Sequence, residues 1–147
     1  MRILIFISIL FVFVSSCKKD TDEIQVDEIP KLELLSVEPL DIQQFEEKLF
    51  VYLNYEDGNG DLGQLDPDST SLTIKDSRLQ FEDKYHIPPL APLEEEIQIK
   101  GVLKVEIKNT FLLGTADKET YNYEIKIKDR AGNWSNTVST PLITVRK

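Results

Sequence analysis

At 147 residues the chain has room for one domain with a sizeable core and not for two ordinary ones. Its 17 Lys+Arg against 26 Asp+Glu give a formal charge of −9, which argues against nucleic acid as a partner and against direct adsorption to an anionic membrane surface. A single cysteine, Cys17, rules out an internal disulfide.

Met1 to Ser16 reads as a targeting segment. Arg2 supplies a positive start, and Ile3 to Val14 is a run of 12 residues, apolar apart from Ser8. A transmembrane helix needs about 20, so this run is too short to span. Small residues then lead into the cysteine: Val14-Ser15-Ser16-Cys17. The order resembles the bacterial lipobox, whose cysteine is acylated and becomes the first residue of the mature protein. Valine stands where leucine is more usual, and serine where glycine or alanine is. The resemblance implies a lipoprotein signal peptide over residues 1–16, lipidation at Cys17, and the membrane as a partner through that acylated residue. The alternative is an ordinary secretory signal followed by an incidental cysteine. Three acyl chains, at about 0.8 kcal/mol per buried methylene, would hold the protein firmly at a membrane.

Residues 17–30 follow as the acylated cysteine and a flexible acidic tether, because Lys18 to Ile29 is polar and lacks sustained periodicity. Lys18 stands where aspartate would mark inner-membrane retention in enteric bacteria. Asp20, Asp22 and Glu23 resemble the surface-export signal of Bacteroidota lipoproteins. The implied location is the outer membrane, facing the periplasm or the cell surface.

From Lys31 to Lys147 the pattern is that of strands. Leu32-Glu33-Leu34 opens a short one that Pro39 closes. Lys48 to Glu56 alternates Leu49, Val51, Leu53 and Tyr55 on one face with Phe50, Tyr52, Asn54 and Glu56 on the other. Further strands are predicted at Leu72–Ile74 and Leu79–Tyr85, before a loop carrying Pro88, Pro89 and Pro92. Another lies within Glu96–Asn109, where Gly101 predicts a bulge or bend. In Tyr121–Asp129, Tyr121, Tyr123, Ile125 and Ile127 point inward; Val138–Val145 is the last strand. No helical periodicity of useful length appears. About seven short strands predict an all-β fold, an antiparallel β-sandwich of immunoglobulin-like or fibronectin type III-like kind.

Between two of these strands lies Asp57-Gly58-Asn59-Gly60-Asp61-Leu62-Gly63. Oxygen-bearing side chains at alternate positions on a glycine-rich turn can converge on a hard cation such as calcium. The loop is not an EF-hand: Leu62 occupies the position where that turn needs glycine, and no helix flanks it. In an immunoglobulin-type sandwich this loop and the last hairpin share one pole. That topology makes Asp57, Asn59, Asp61 and Asp129 the candidate metal ligands, with Asn133 nearby. The other reading of both loops is purely conformational: Gly132 supplies a positive φ, and Asp129 or Asn133 hydrogen-bonds turn amides.

Two motifs carry a wider resemblance. Tyr123 to Asn133 ends in D-R-A-G-N and is similar to the final hairpin of bacterial immunoglobulin-like and fibronectin-like domains. Asp57 to Gly63 is similar to the D-G-D-G-D-[LI]-G loop of small Bacteroidota lipoproteins, with Asn59 in place of the middle aspartate. With the lipobox, the resemblance implies the fold and the location, and little about activity. No nucleophile elbow, zinc-protease motif or phosphate loop is present, and the lone His86 has no patterned acid or nucleophile beside it, so catalytic residues are not expected and the chain is read as a non-enzyme. Trp134 is either a packing residue or an exposed recognition contact. The first functional reading is a lipid-anchored binding or structural module of the cell envelope, with an unidentified protein or glycan as partner and calcium as the possible cofactor. The alternative is an accessory subunit of an envelope uptake or secretion complex, assembled through a sheet edge.

Overall fold

The computed structural model describes residues 27–147. The signal-like segment, Cys17 and most of the tether therefore lie outside the described residues. Ten strands follow one another: β1 (Lys31–Glu38), β2 (Asp41–Gln43), β3 (Leu49–Asp57), β4 (Leu72–Asp76), β5 (Asp83–Tyr85), β6 (Ile99–Ile107), β7 (Lys118–Tyr121), β8 (Tyr123–Ile127), β9 (Val138–Ser139) and β10 (Ile143–Arg146). Among the described residues there is no helix.

The strands form three hydrogen-bonded sheets, in the orders β1-β3-β6, β2-β10-β7 and β5-β4-β8-β9. None is closed into a barrel, and all pairs are antiparallel except β2 with β10. The second and third sheets are two parts of one broken layer. β7 and β8 are halves of a single run interrupted at Asn122, facing β10 and β9 in turn. The Thr140 amide donates to the Tyr123 carbonyl, and the Tyr123 amide donates to Thr140 Oγ1, both at 2.9 Å, so the ribbon continues across the break.

Alternation explains the core. Leu49, Val51 and Leu53 of β3 are fully buried, as are Ile125 of β8 and Ile143 and Val145 of β10. Each contributes about 1.5–3 kcal/mol by leaving water. Together with Leu62, Tyr121 and Ile127 they belong to one continuous cluster. The result is the sandwich-like all-β domain that the period-2 pattern predicts, in more and shorter strands than seven.

Three local expectations need correction. Gly101 makes no bulge, because β6 stays in register with β3 from Ile99 to Ile107. It is glycine because the Tyr55 ring lies across it: an added Cβ would sit 2.7 Å from the Tyr55 hydroxyl. The irregularity is in β1, between Leu34 and Ser36. Leu79–Tyr85 is not one strand, since a turn closed by Leu79 N–H on Asp76 O occupies its start and only Asp83–Tyr85 pairs. Val138–Val145 is split, with Pro141 between the pieces.

Candidate cation site

Asp57 is the last residue of β3, paired with Ile99 of β6. The chain then turns through Gly58, whose N–H donates to the Asp27 carbonyl at 3.2 Å and ties the incoming segment to this end. Gly60 and Gly63 have φ of 73° and 87°, a region costly for other residues. At Gly63 a side chain would also strike the backbone carbonyl of Pro88. Leu62 is buried, and its carbonyl accepts the Leu90 amide at 3.1 Å, while the Gln64 amide donates to Ile87 O at 2.8 Å. These bonds press the loop against residues 87–90.

The last hairpin meets the loop from the other side. Leu62 and Asp129 form an isolated antiparallel bridge. The Arg130 amide donates to the Asp61 carbonyl at 3.1 Å, and the Ala131 amide to Asp61 Oδ2 at 3.0 Å. The structure thus brings Asp57, Asp61 and Asp129 to one pole.

The three aspartates are not equivalent. Asp129 is fully buried and braces its own hairpin, accepting Asn133 N–H at 2.7 Å and Asn133 Nδ2 at 2.9 Å, one on each oxygen. Gly132, at φ 95°, permits that turn, so the conformational reading of D-R-A-G-N is correct at these residues. Asn59 also serves its loop, its Oδ1 accepting the Asp61 amide at 3.4 Å. Asp57 is different. It is 0 % exposed, and neither carboxylate oxygen has a hydrogen-bond partner among the described residues. Asp61 Oδ1 is likewise buried and unpartnered.

Burial drives the Asp57 carboxyl up to a pKa of about 6, helped by the negative charges of Asp61 and then Asp129. The amides of Asp61 and Leu62 pull the other way, although neither completes a hydrogen bond to it. Asp61 is also raised, by burial first and Asp129 second, against the Ala131 amide and the Arg130 charge. Arg130 had no role assigned from the sequence. Its guanidinium lies over the loop and donates to the backbone carbonyls of Gly60, Leu62 and Gly63, each at 3.4 Å, so its charge reaches Asp61 through space and without a direct hydrogen bond to the carboxylate. An arginine inside D-R-A-G-N, beside an acidic loop, was the available signal.

Three buried carboxylate oxygens without donors form a place for a proton or for a hard cation. Calcium takes six to eight oxygens. Asp57 and Asp61 fit as its anionic ligands, whereas Asn59 and Asp129 are committed to the loops' own hydrogen bonds. Among the described residues no group of three or more His, Cys, Asp or Glu side chains is arranged to hold a metal ion, so water and backbone carbonyls would have to complete the shell.

Trp134 is 40 % exposed and packs against two lysines, Lys126 Nζ at 4.5 Å and Lys128 Nζ at 5.3 Å from its ring centre. His86 Nδ1 lies 3.0 Å from the Ser69 carbonyl, which accounts for it as a loop residue. Comparison with known protein families, with curated proteins and with solved structures finds no match for this chain.

Proposed function

We propose that this chain is a non-enzymatic module of the bacterial cell envelope, acylated at Cys17, whose loop pole is stabilised by calcium. The observation that carries the cation reading is the Asp57 carboxylate: completely buried, without a donor among the described residues, and raised in pKa by the charge of Asp61, one of whose oxygens is also buried and unpartnered. An unpaired buried carboxylate costs several kcal/mol unless it is protonated or meets a cation. In a calcium-containing exterior the cation is the simpler answer. The site is weak by construction, with two side-chain ligands and a shell completed by water, which suits the ~10⁻⁴ to 10⁻³ M range of extracellular modules.

The domain type we infer is fibronectin type III-like. Supporting it are the β1-β3-β6 sheet opposed to a layer in which β4 and β8 are central, and the two loops that share one pole. Anchoring rests on the order Arg2, apolar run, V-S-S-C, and the outer-membrane location on the residues that follow Cys17. The role is then to present a rigid end to a protein or glycan, with Trp134 beside the braced hairpin as the exposed aromatic contact.

Differential scanning of the detergent-solubilised full chain, with calcium or with chelator, tests the cation. A higher melting temperature with millimolar calcium is expected, and superimposable curves would reduce the loop to a turn. Metabolic labelling with an alkyne fatty acid tests the anchor, and an unlabelled mature protein would overturn it.

A further inference from the structure

We propose that β6 is an interface for a second copy of this chain, paired edge to edge and antiparallel about a two-fold axis at Leu103. β6 is the last strand of its sheet, and among the described residues it pairs only with β3. It runs nine residues without a proline, and without a bulge against β3. A long, regular free edge offers its outer row of amides and carbonyls as a template for another strand. Val102, in its middle, is 58 % exposed.

The order of side chains selects the partner. A two-fold axis normal to the sheet keeps each face on its own side, so only whole-residue axes are possible, and each fixes every opposing pair. With the axis at Leu103, Lys100 of each copy faces Glu106 of the other, and Val102 faces Lys104. Leu103 then faces itself and Ile99 faces Ile107, which joins the partly buried apolar residues of β6 across the seam. Moving the axis to Val102 sets Lys100 against Lys104. Moving it to Lys104 sets that lysine against its own copy, and Lys100 against Lys108. Opposite charges directly across strands stabilise and like charges destabilise, so one register is favoured and both neighbours are penalised.

The residues are placed to act. Lys100 has no ion-pair partner among the described residues, because Glu56, which faces it on β3, accepts from Gln98 Nε2 at 2.8 Å. Glu106 is held on the outer face by Lys48 at 2.7 Å, and its carboxyl lies below the usual range, chiefly through that lysine. It is thus a fixed anion at the point where the incoming Lys100 arrives. A groove beside the edge is lined by Ile107 with Phe81, Tyr85 and Phe111. Phe81 is 65 % exposed, so apolar surface accompanies the free edge on a chain that is otherwise strongly charged.

The experiment measures the mass of the detergent-solubilised full chain by sedimentation, with thermal melts to check folding of each variant. The wild type is expected to dimerise reversibly. Lys100→Glu and Glu106→Lys should each raise the dissociation constant about tenfold, since each puts two like-charge pairs across the seam. The double variant should return to within about threefold of wild type, because it restores both pairs in reverse. If Glu106→Lys fails to fold after losing Lys48, Lys100→Gln still decides: it removes the pair across the seam without setting a second carboxylate against Glu56, which faces position 100 on β3, and it should raise the dissociation constant about threefold. A full chain that stays monomeric at its highest soluble concentration, whether its own leading segment or a foreign strand covers the edge, overturns the proposal. So does a dimer whose stability ignores the charge reversals.

Discussion

Asp57 and Asp61 stand at the two ends of one tight turn, and among the described residues only one of their carboxylate oxygens, Asp61 Oδ2, accepts a hydrogen bond. Without a metal, the folded protein holds the Asp57 proton more tightly than the unfolded chain does, with a pKa of about 6 against 3.8. The contribution of this group is therefore fully present below pH 4 and is lost as pH rises through 6. The penalty for ionising it is at most about 3 kcal/mol. Asp27, Glu106 and Glu119 are shifted down and work in the opposite sense. The informative quantity is thus the difference between wild type and Asp57→Asn in chelator. The variant should gain stability over wild type as pH climbs from 4 to 7, and a flat difference curve would show that Asp57 is solvated.

Calcium should invert that ranking. At neutral pH and a hundredfold excess over its dissociation constant, a native-state ligand adds about 2.7 kcal/mol. Wild type should gain in melting temperature, while Asp57→Asn and Asp61→Asn should not. Asn59→Ala should keep the gain, because that side chain serves the Asp61 amide. Asp129→Ala should lower stability with and without calcium alike, since it deletes both Asn133 hydrogen bonds in a buried turn. A calcium response that disappears with Asn59 but survives Asp57→Asn would place the ion on the outside of the loop.

Much of the domain is legible from period-2 alternation, because Leu49-Val51-Leu53 and Tyr121-Tyr123-Ile125-Ile127 each commit one face to the core. What escapes is set by contacts distant in sequence. β2 has one buried side chain, Ile42, and exists because the distant β10 pairs with it in parallel. Gly101 looks like a bend until the Tyr55 ring is found above it. The meeting of the two loops follows from strand order, but the division of labour does not. Asp129 became a brace and Asp57 an orphan through the path of a few amides, which no spacing of D, N and G encodes.

Glycines at positive φ should separate into two classes on substitution. Gly132 has open space where a Cβ would go, so Gly132→Ala bears only the conformational cost of about 1 kcal/mol. At Gly63 the same conformation is combined with a collision against Pro88, so the loop or the 87–90 segment must move. Gly63→Ala should cost at least twice as much in chemical denaturation and should weaken any calcium response. Equal losses at the two positions would mean that the 87–90 segment yields easily.

Arg78 is the other charged group on which stability should depend. Its Nη2 lies 2.6 Å from Asp76 Oδ2 and its Nη1 2.7 Å from Glu119 Oε2, while its guanidinium carbon stands 3.8 Å from the centre of the buried Tyr121 ring. Nη1 also donates to the Phe111 carbonyl at 3.1 Å, fastening the 109–114 segment to the β4–β5 turn. Asp76 is only 8 % exposed, so deleting the arginine strands a mostly buried carboxylate. Arg78→Ala should therefore cost about 3 kcal/mol. Arg78→Lys should recover little of it, because a single ammonium cannot hold two carboxylates and a carbonyl while lying flat on the ring. Moderate salt should barely alter the wild-type melt through this network, which is largely shielded from water, whereas the exposed Lys147–Asp117 pair at 2.8 Å should contribute nothing measurable. If Arg78→Lys proves as stable as wild type, the network is ordinary surface charge and the planar fork is not what holds it.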